Sequence, residues 1–254
     1  MGIFDANKRL QGFPATNPVS TLLIAAVTIM FVITLLSGGF SPQNLLDLGA
    51  LYEPLVIDNN EWYRLFTVMF LHGNIMHYVF NTLFGLYIIG GALERLVGSL
   101  KYLIIYFASG LLASFTIIAA YFLTGEAVLT VGASGAIYGV LGAFLYLVVN
   151  HKEWFDPRDI SGIKGLIFIN VVFTFLGANI SVAGHIGGLI AGYAIATLMY
   201  LNQGSDIRRR QRGFEDPFAD PESQKTRTIE SFDDLENTFD DDDDDDDDPF
   251  SKYD

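Results

Sequence analysis

An all-α integral membrane protein, built as a bundle of six transmembrane helices, is the fold class that this sequence predicts. Hydrophobic residues make up 51% of its 254 residues. Six apolar runs recur along the chain, and a helix of about 20 residues, rising about 1.5 Å per residue, crosses a hydrocarbon core of about 30 Å. Composition therefore favours a membrane-embedded body over one or two soluble domains.

The six apolar runs are the predicted spans. They cover residues 19–36, about 65–93, about 102–123, Ser134–Asn150, about 165–176 and 183–201. The first run is long for a signal peptide and further spans follow it, so we interpret it as an uncleaved span. The fifth run is the shortest, and we expect any lateral opening of the bundle to lie between spans two and five.

Charge separates the apolar body from an acidic tail. Residues 1–205 hold 8 Lys and Arg against 10 Asp and Glu, whereas residues 206–254 hold 7 against 19, with nine consecutive aspartates at 240–248. A segment with so few apolar residues cannot form a core, and we expect it to be disordered. The sequence has no cysteine, which excludes disulfides and thiolate chemistry but leaves the redox compartment open.

Three segments follow from these patterns. They are a short polar N-terminus at residues 1–18, a membrane domain at 19–201, and a C-terminal part at 202–254 that holds a basic cluster and the acidic tail. The basic cluster lies beside the last span, where it can also contact anionic lipid.

Cations predict the orientation, because Lys and Arg favour the cytoplasmic side of a membrane. With the N-terminus inside, the inner segments hold Lys8, Arg9, Arg95, Lys101, Lys152, Arg158, Lys164 and the arginines at 208, 209, 210 and 212. Arg64 is the only cation in the outer loops. We therefore expect a multi-pass protein of a bacterial cytoplasmic membrane with both termini in the cytoplasm.

Four polar side chains from three spans are predicted to share one depth in the membrane. His77 and Asn81 lie in the outer half of span two, Ser134 begins span four, and His185 lies near the start of span six. Spans two, four and six all enter from the outer face, and polar groups inside hydrocarbon usually mark a functional cavity. Span four is roughly 24 Å long, so Ser134 is expected to lie below the outer surface in a water-filled dip.

Small residues follow the two helices that carry Ser134 and His185. They recur every fourth residue, at Gly135, Gly139 and Ala143 in span four and at Gly184, Gly188 and Gly192 in span six. This spacing lets two helix backbones approach closely, and ordinary helix packing would explain it as well. In this sequence the stripe of span four adjoins Ser134 and the stripe of span six adjoins His185, the two residues that must come into contact.

A serine and a histidine in contact suggest acyl transfer, with Ser134 as the nucleophile and His185 as the general base. Spans four and six contain no acidic residue, so a dyad is expected rather than a triad. The Ser134 backbone N–H at a helix start, together with His77 and Asn81, could stabilise an oxyanion. Tyr138, one turn after Ser134, could hold the imidazole ring.

Three motifs carry a family resemblance. They are Gly132-Ala-Ser134-Gly135 followed by Tyr138, His72-x4-His77-x3-Asn81, and His185-x2-Gly188-x3-Gly192. In this order and spacing they resemble the rhomboid family of intramembrane serine proteases. The resemblance covers about residues 62–201 and includes Trp62-Tyr-Arg64 and Glu94. Gly184 departs from the alanine that the family usually has before this histidine.

The resemblance implies roles for these residues. Ser134 would be the nucleophile and His185 the base, with His77, Asn81 and the Ser134 N–H binding the oxyanion. The supporting residues would be Tyr138, Gly132, Gly135, Gly188, Gly192, Arg64 and Glu94. Substrates would be single-span membrane proteins, cut within or beside their helix near the outer face. The resemblance implies no cofactor, metal or nucleic acid.

Other readings stay open. A zinc site formed by His72, His77 and His185 is conceivable, but the sequence has no HExxH motif and zinc would leave the serine unexplained. A catalytically silent relative that binds membrane clients would normally lose the serine or the histidine. A transporter would show repeated halves and charges deep in its spans. His72 either supports the site or is an interfacial polar residue.

Overall fold

The fold is almost entirely helical. This computed structural model describes residues 13–176 and 180–201, and within those ranges it contains no β-strand, only an isolated antiparallel bridge between Leu51 and Thr130. The predictions for the first twelve residues, for 177–179 and for the basic and acidic tail from residue 202 lie outside the described residues.

Six long helices form the membrane body. They are α1 (Pro18–Ser37), α2 (Ile75–Val97), α3 (Ser99–Thr124), α4 (Ser134–Asn150), α5 (Pro157–Leu176) and α6 (Val182–Tyr200). Five of them are long and apolar enough to cross a membrane. The remaining helix, α4, is apolar but has only 17 residues. The predicted all-α membrane bundle is thereby confirmed.

Short helices occupy the connections. They are Phe13–Thr16, Pro42–Asp47, Glu53–Ile57, Arg64–Thr67, a 3₁₀ turn at Val68–Phe70, and another at Lys152–Trp154. Within α2, the segment Phe80–Gly90 is wound as a π-helix, a conformation that is uncommon and often found near functional sites.

The predicted start of span two at residue 65 is wrong. Helix α2 begins only at Ile75, where the side chain of Asn74 accepts the His77 N–H at 2.8 Å as an N-cap. The apolar residues that extended the prediction belong to the connection before α2, where Leu65 and Leu71 are buried. A packed loop and a membrane span both need apolar side chains, so hydropathy could not separate them.

The predicted start of span five at residue 165 is also wrong. Helix α5 begins at Pro157 and has 20 residues, so α4 and not α5 is the shortest of the six. Pro157 and Asp159 suit the first turn of a helix, where no N–H partner is needed and negative charge is favoured. An opening between spans two and five therefore cannot be attributed to a short fifth helix.

Helix α4 lies at the centre of the bundle. It packs against α2, α3, α5 and α6, and twelve of its residues are buried, on all sides of the helix. A helix that is apolar all round is one surrounded by other elements. Because protein rather than lipid surrounds α4, it does not have to match the full thickness of the hydrocarbon.

The contact between α4 and α6 is made by backbone. A Cβ atom added to Gly188 would overlap the Gly135 carbonyl oxygen, and one added to Gly192 would overlap the Gly139 carbonyl oxygen. The predicted small-residue stripes thus lie directly against each other, which is how such residues allow close packing between membrane helices.

Glu94 joins the start of α1 to the junction between α2 and α3. Its carboxylate accepts the backbone N–H groups of Val19 at 2.9 Å and Ser20 at 2.8 Å, and the Ser99 hydroxyl at 2.8 Å. The first N–H groups of a helix lack intrahelical acceptors and favour negative charge. Glu94 therefore supplies a cap for α1 from another helix.

Arg64 organises the connection between α1 and α2. Its guanidinium donates to the carbonyl oxygens of Leu46 at 2.7 Å and Ala50 at 2.8 Å and to the Glu61 carboxylate at 2.6 Å. This hydrogen bond and ion pair with Arg64 lower the pKa of Glu61. The buried guanidinium thereby holds the turns of a long connection together.

The connection between α1 and α2 is hydrogen-bonded to the connection between α3 and α4, just before Ser134. Leu51 and Thr130 exchange two backbone hydrogen bonds of 3.0 and 2.8 Å, and the Val128 N–H donates to a Glu53 carboxylate oxygen at 2.8 Å. The Gly132 N–H donates to the Val68 carbonyl at 2.9 Å. The strand-like segment that leads into α4 is therefore held along its length.

The Glu53 contact leads to a pH-dependent prediction. Burial raises the pKa of the Glu53 carboxyl, although hydrogen bonds from its own N–H and from Val128 oppose the rise. We expect Glu53→Gln to raise the Tm at neutral pH, because the amide still accepts the Val128 N–H without burying a charge. A carboxyl with a raised folded-state pKa stabilises the fold below its unfolded-state pKa and loses that effect as pH rises through the folded-state value.

The measurement is the Tm of both forms in detergent across the acidic range. The excess Tm of the variant should shrink as the pH falls through the pKa of Glu53, since the wild-type carboxyl then becomes neutral as well. A Tm difference that does not change with pH would contradict this assignment.

Candidate active site

Ser134 and His185 meet between the first turns of α4 and α6. The Ser134 Oγ lies 2.8 Å from the His185 Nε2. Helix α6 starts beside the site because Ser181 caps it, accepting the Gly184 N–H at 3.2 Å. The close packing of the two helices brings the hydroxyl and the imidazole within hydrogen-bond distance, as nucleophile activation requires.

Gly132 shapes the approach to Ser134. Its φ of +132° lies in a region that side chains rarely adopt, and an added Cβ would lie 2.7 Å from the His77 Nε2. The same Cβ would lie 3.5 Å from the Ser134 Oγ. Gly132 therefore lets His77 approach the serine from the α2 side.

His77 is the third residue of α2 and faces this space. The Gly73 N–H donates to its Nδ1 over a long 3.5 Å contact. With Nδ1 as the acceptor, the ring hydrogen lies on Nε2, the nitrogen that is close to Gly132. This tautomer makes His77 a hydrogen-bond donor toward the space beside Ser134.

Asn81 lies one turn further along α2 and is buried. One of its amide hydrogens is donated to the His77 carbonyl at 2.8 Å. Asn81 keeps a second amide hydrogen that can be donated, and the first turn of α4 has N–H groups without intrahelical acceptors.

Tyr138 and Thr174 hold the His185 ring. The Tyr138 ring stacks on the imidazole with centroids 4.0 Å apart and an angle of 18° between the planes. The Thr174 hydroxyl lies 3.0 Å from the His185 Nδ1, on the opposite edge of the ring from Ser134. The imidazole thus has a partner at each nitrogen and a ring against its face.

Thr174 was not identified from the sequence. It lies on α5, which begins earlier than its apolar run predicts, and the usual orienting partner of a catalytic histidine is a carboxylate rather than a hydroxyl. The face that it shares with Ile163 and Ile167 is shown only by burial in the structure, because the second half of α5 is apolar on nearly every side. A polar residue that continues an apolar stripe indicates a buried hydrogen bond.

His72 does not lie on span two as predicted, because it precedes α2. It is buried, and its ring centroid is 5.1 Å from that of His77 in an edge-on arrangement. Among the described residues no group of three His, Asp or Glu side chains is arranged to hold a metal ion. The zinc alternative therefore has no ligand set in the described part of the chain.

Ser134 and His185 border the same small cleft. Residues from the connection before α2, from α3 and from the starts of α4 and α6 line it, among them Val68, Met69, Ala113, Gly132, Ser134 and His185. Arg64 and Glu94 lie instead in the hydrogen-bond networks described above.

Fold and site together define a multi-pass integral membrane protein that holds a serine hydroxyl against an imidazole between two closely packed helices. The Rhomboid domain family matches residues 59–202, more than half of the chain. The chain belongs to the rhomboid family.

Individual proteins are also similar in sequence to this chain. The chain is 36% identical to the rhomboid protease GluP of Bacillus subtilis strain 168, over 78% of this chain and 38% of GluP. A second protein of that strain, YdcA, is 29% identical over 77% of this chain and 96% of its own length. Rhomboid-like protease 1 of Toxoplasma gondii is 34% identical over 61% of this chain and 52% of that protein. The chain thus spans about two fifths of GluP and about half of the Toxoplasma protein.

Proposed function

We propose that this protein is an intramembrane serine endopeptidase that cleaves single-span membrane proteins. The observation that carries the proposal is the 2.8 Å contact between the Ser134 Oγ and the His185 Nε2. Family membership and the protease relatives support the activity. A catalytically silent client-binding protein would not need this contact, so the protease is the better explanation.

The site geometry suggests an acyl-enzyme mechanism. His185 Nε2 takes the Ser134 proton while Oγ bonds to the scissile carbonyl carbon, and the carbonyl oxygen becomes an oxyanion. The imidazolium then gives its proton to the departing amine as the C–N bond breaks. A water molecule attacks the ester by the same route, releasing the acid and restoring Ser134.

Donors from two helices are available for the oxyanion. The first turn of α4 contributes the Ser134 N–H with the positive end of the helix dipole behind it, and α2 contributes His77 and Asn81. Because these groups are fixed by the fold, they need no reorganisation when the charge forms.

The position of the site supports a proposal for the substrate and the orientation. The starts of α2, α4 and α6 lie on one face of the bundle, which the cation distribution predicts to be the outer face. A substrate helix already satisfies its own backbone hydrogen bonds, so it must unwind before a serine can attack. We infer that substrates are single-span proteins cut near that face and that both termini of this chain are cytoplasmic.

The test combines cleavage with chemical trapping. The purified protein in detergent should cleave a single-span test substrate, and Ser134→Ala should not. A fluorophosphonate should phosphonylate the Ser134 side chain in the intact protein, as located by peptide mass spectrometry. Cleavage that persists in Ser134→Ala would overturn the proposal. Absence of cleavage and labelling across several substrates would favour a silent client-binding protein.

A further inference from the structure

We propose that Thr174 is a positioning residue that sets the productive tautomer of His185 through a chain of hydroxyl groups. The proposal rests on the proposed function, because tautomer choice matters only if His185 acts as a base. The observation behind it is the 3.0 Å contact between the Thr174 Oγ1 and the His185 Nδ1.

The direction of hydrogen bonding can be worked out from the end of the chain. The Asn170 carbonyl oxygen can only accept, and the Tyr138 hydroxyl donates to it at 2.6 Å. Tyr138 has one hydroxyl hydrogen, so in its 2.6 Å contact with Thr174 it accepts and Thr174 donates. The Thr174 hydroxyl also reaches the same carbonyl at 3.0 Å, which uses the same hydrogen.

The Thr174 oxygen is then left as an acceptor. In this arrangement the single Thr174 hydrogen points to Tyr138 or to the Asn170 carbonyl, and we infer that the contact with His185 places the ring hydrogen on Nδ1. The Nε2 lone pair is thereby free to accept the Ser134 proton. With the other tautomer, Nε2–H would point at Ser134 and the imidazole could not act as its base.

Burial of Thr174 strengthens the preference of His185 for the tautomer with its hydrogen on Nδ1. Thr174 is 1% exposed although most of α5 is exposed. Water cannot readily replace a partner in such a place, so an N–H or lone pair left without one carries its full desolvation cost. The hydroxyl chain thus performs for His185 the orienting role that a carboxylate performs in a triad, without placing a charge in the membrane.

The experiment compares Thr174→Val with Thr174→Ser. Valine keeps the shape and removes the hydroxyl, whereas serine keeps the hydroxyl and removes a methyl group. We expect Thr174→Val to lower kcat about 3- to 10-fold with little change in KM, as expected for a lost hydrogen bond of about 0.5–1.5 kcal/mol. Thr174→Ser should stay within about twofold of wild type if the hydroxyl is what matters.

Nitrogen NMR gives a readout that packing alone would not move. The protein has 4 histidines, so a protein labelled with ¹⁵N-histidine gives few signals, and those of His185 are the ones missing from His185→Ala. With the imidazole neutral, wild type and Thr174→Ser should carry the hydrogen on Nδ1. Thr174→Val should show a population with the hydrogen on Nε2.

Each outcome is decisive. Unchanged kcat and an unchanged tautomer in Thr174→Val would overturn the proposal while leaving the protease intact. Equal losses in Thr174→Val and Thr174→Ser would also overturn it, because they would indicate a packing role. If wild type proves inactive but the tautomer still shifts in Thr174→Val, the positioning role stands and the proposed protease fails.

Discussion

Replacing His185 with alanine is expected to lower the cleavage rate by about 10³-fold or more. Without the His185 imidazole, the Ser134 hydroxyl loses the base that lies 2.8 Å away, and an unactivated hydroxyl is a weak nucleophile. The residual rate would come from the oxyanion donors and from substrate binding alone. Initial rates of cleavage under single-turnover conditions measure this loss directly.

The effects of the Ser134 and His185 substitutions on the cleavage rate should not be additive. If Ser134 and His185 act as one unit, the double variant Ser134→Ala/His185→Ala should be no slower than either single variant. His151 offers a matched control, since it lies between α4 and the Lys152–Trp154 turn, where its ring stacks on that of Trp154 with centroids 4.0 Å apart. His151→Ala should keep its cleavage rate. Additive losses from Ser134→Ala and His185→Ala would contradict a shared proton transfer.

Gly192→Ala is expected to reduce both stability and cleavage. The new methyl group would overlap the carbonyl oxygen and Cα of Gly139, and these backbone atoms cannot move aside as a side chain can. Alanine gains about 1 kcal/mol in helix propensity over glycine, whereas overpacking costs about 1–3 kcal/mol or more. The cost of this steric overlap should exceed the gain in helix propensity, so α4 and α6 should move apart.

Separation of the two helices would also displace His185 from Ser134. A shift of about 1 Å in a reacting group can lower a rate about 100-fold, so the loss of cleavage should exceed what the fraction of unfolded protein explains. Gly162→Ala is the control, because a Cβ at this helical glycine meets nothing within 4 Å. That variant should be as stable as wild type or more so, with unchanged cleavage. A Gly192→Ala protein with normal Tm and rate would refute backbone contact between α4 and α6.

Some features could be predicted from the sequence because they depend on local patterns. The bounds of α4 agree with prediction, since a glycine-rich turn precedes an unbroken apolar run that ends at polar residues. The spacing of the motifs indicated which polar residues share one site. It could not show how His77 approaches Ser134, because that depends on the backbone of Gly132 and on the connection before α2.

By itself, the sequence determined the class of the protein, the number of long helices in its described part and the serine and histidine of its candidate site. Hydropathy, glycine spacing and short motifs are properties of neighbouring residues, so they can be seen without the fold. Only the tertiary structure decided where α2 and α5 begin and that Thr174 meets His185. The physical reason is that burial in a packed loop and burial in lipid select the same apolar residues, whereas a hydrogen bond between α5 and α6 depends on how whole helices pack.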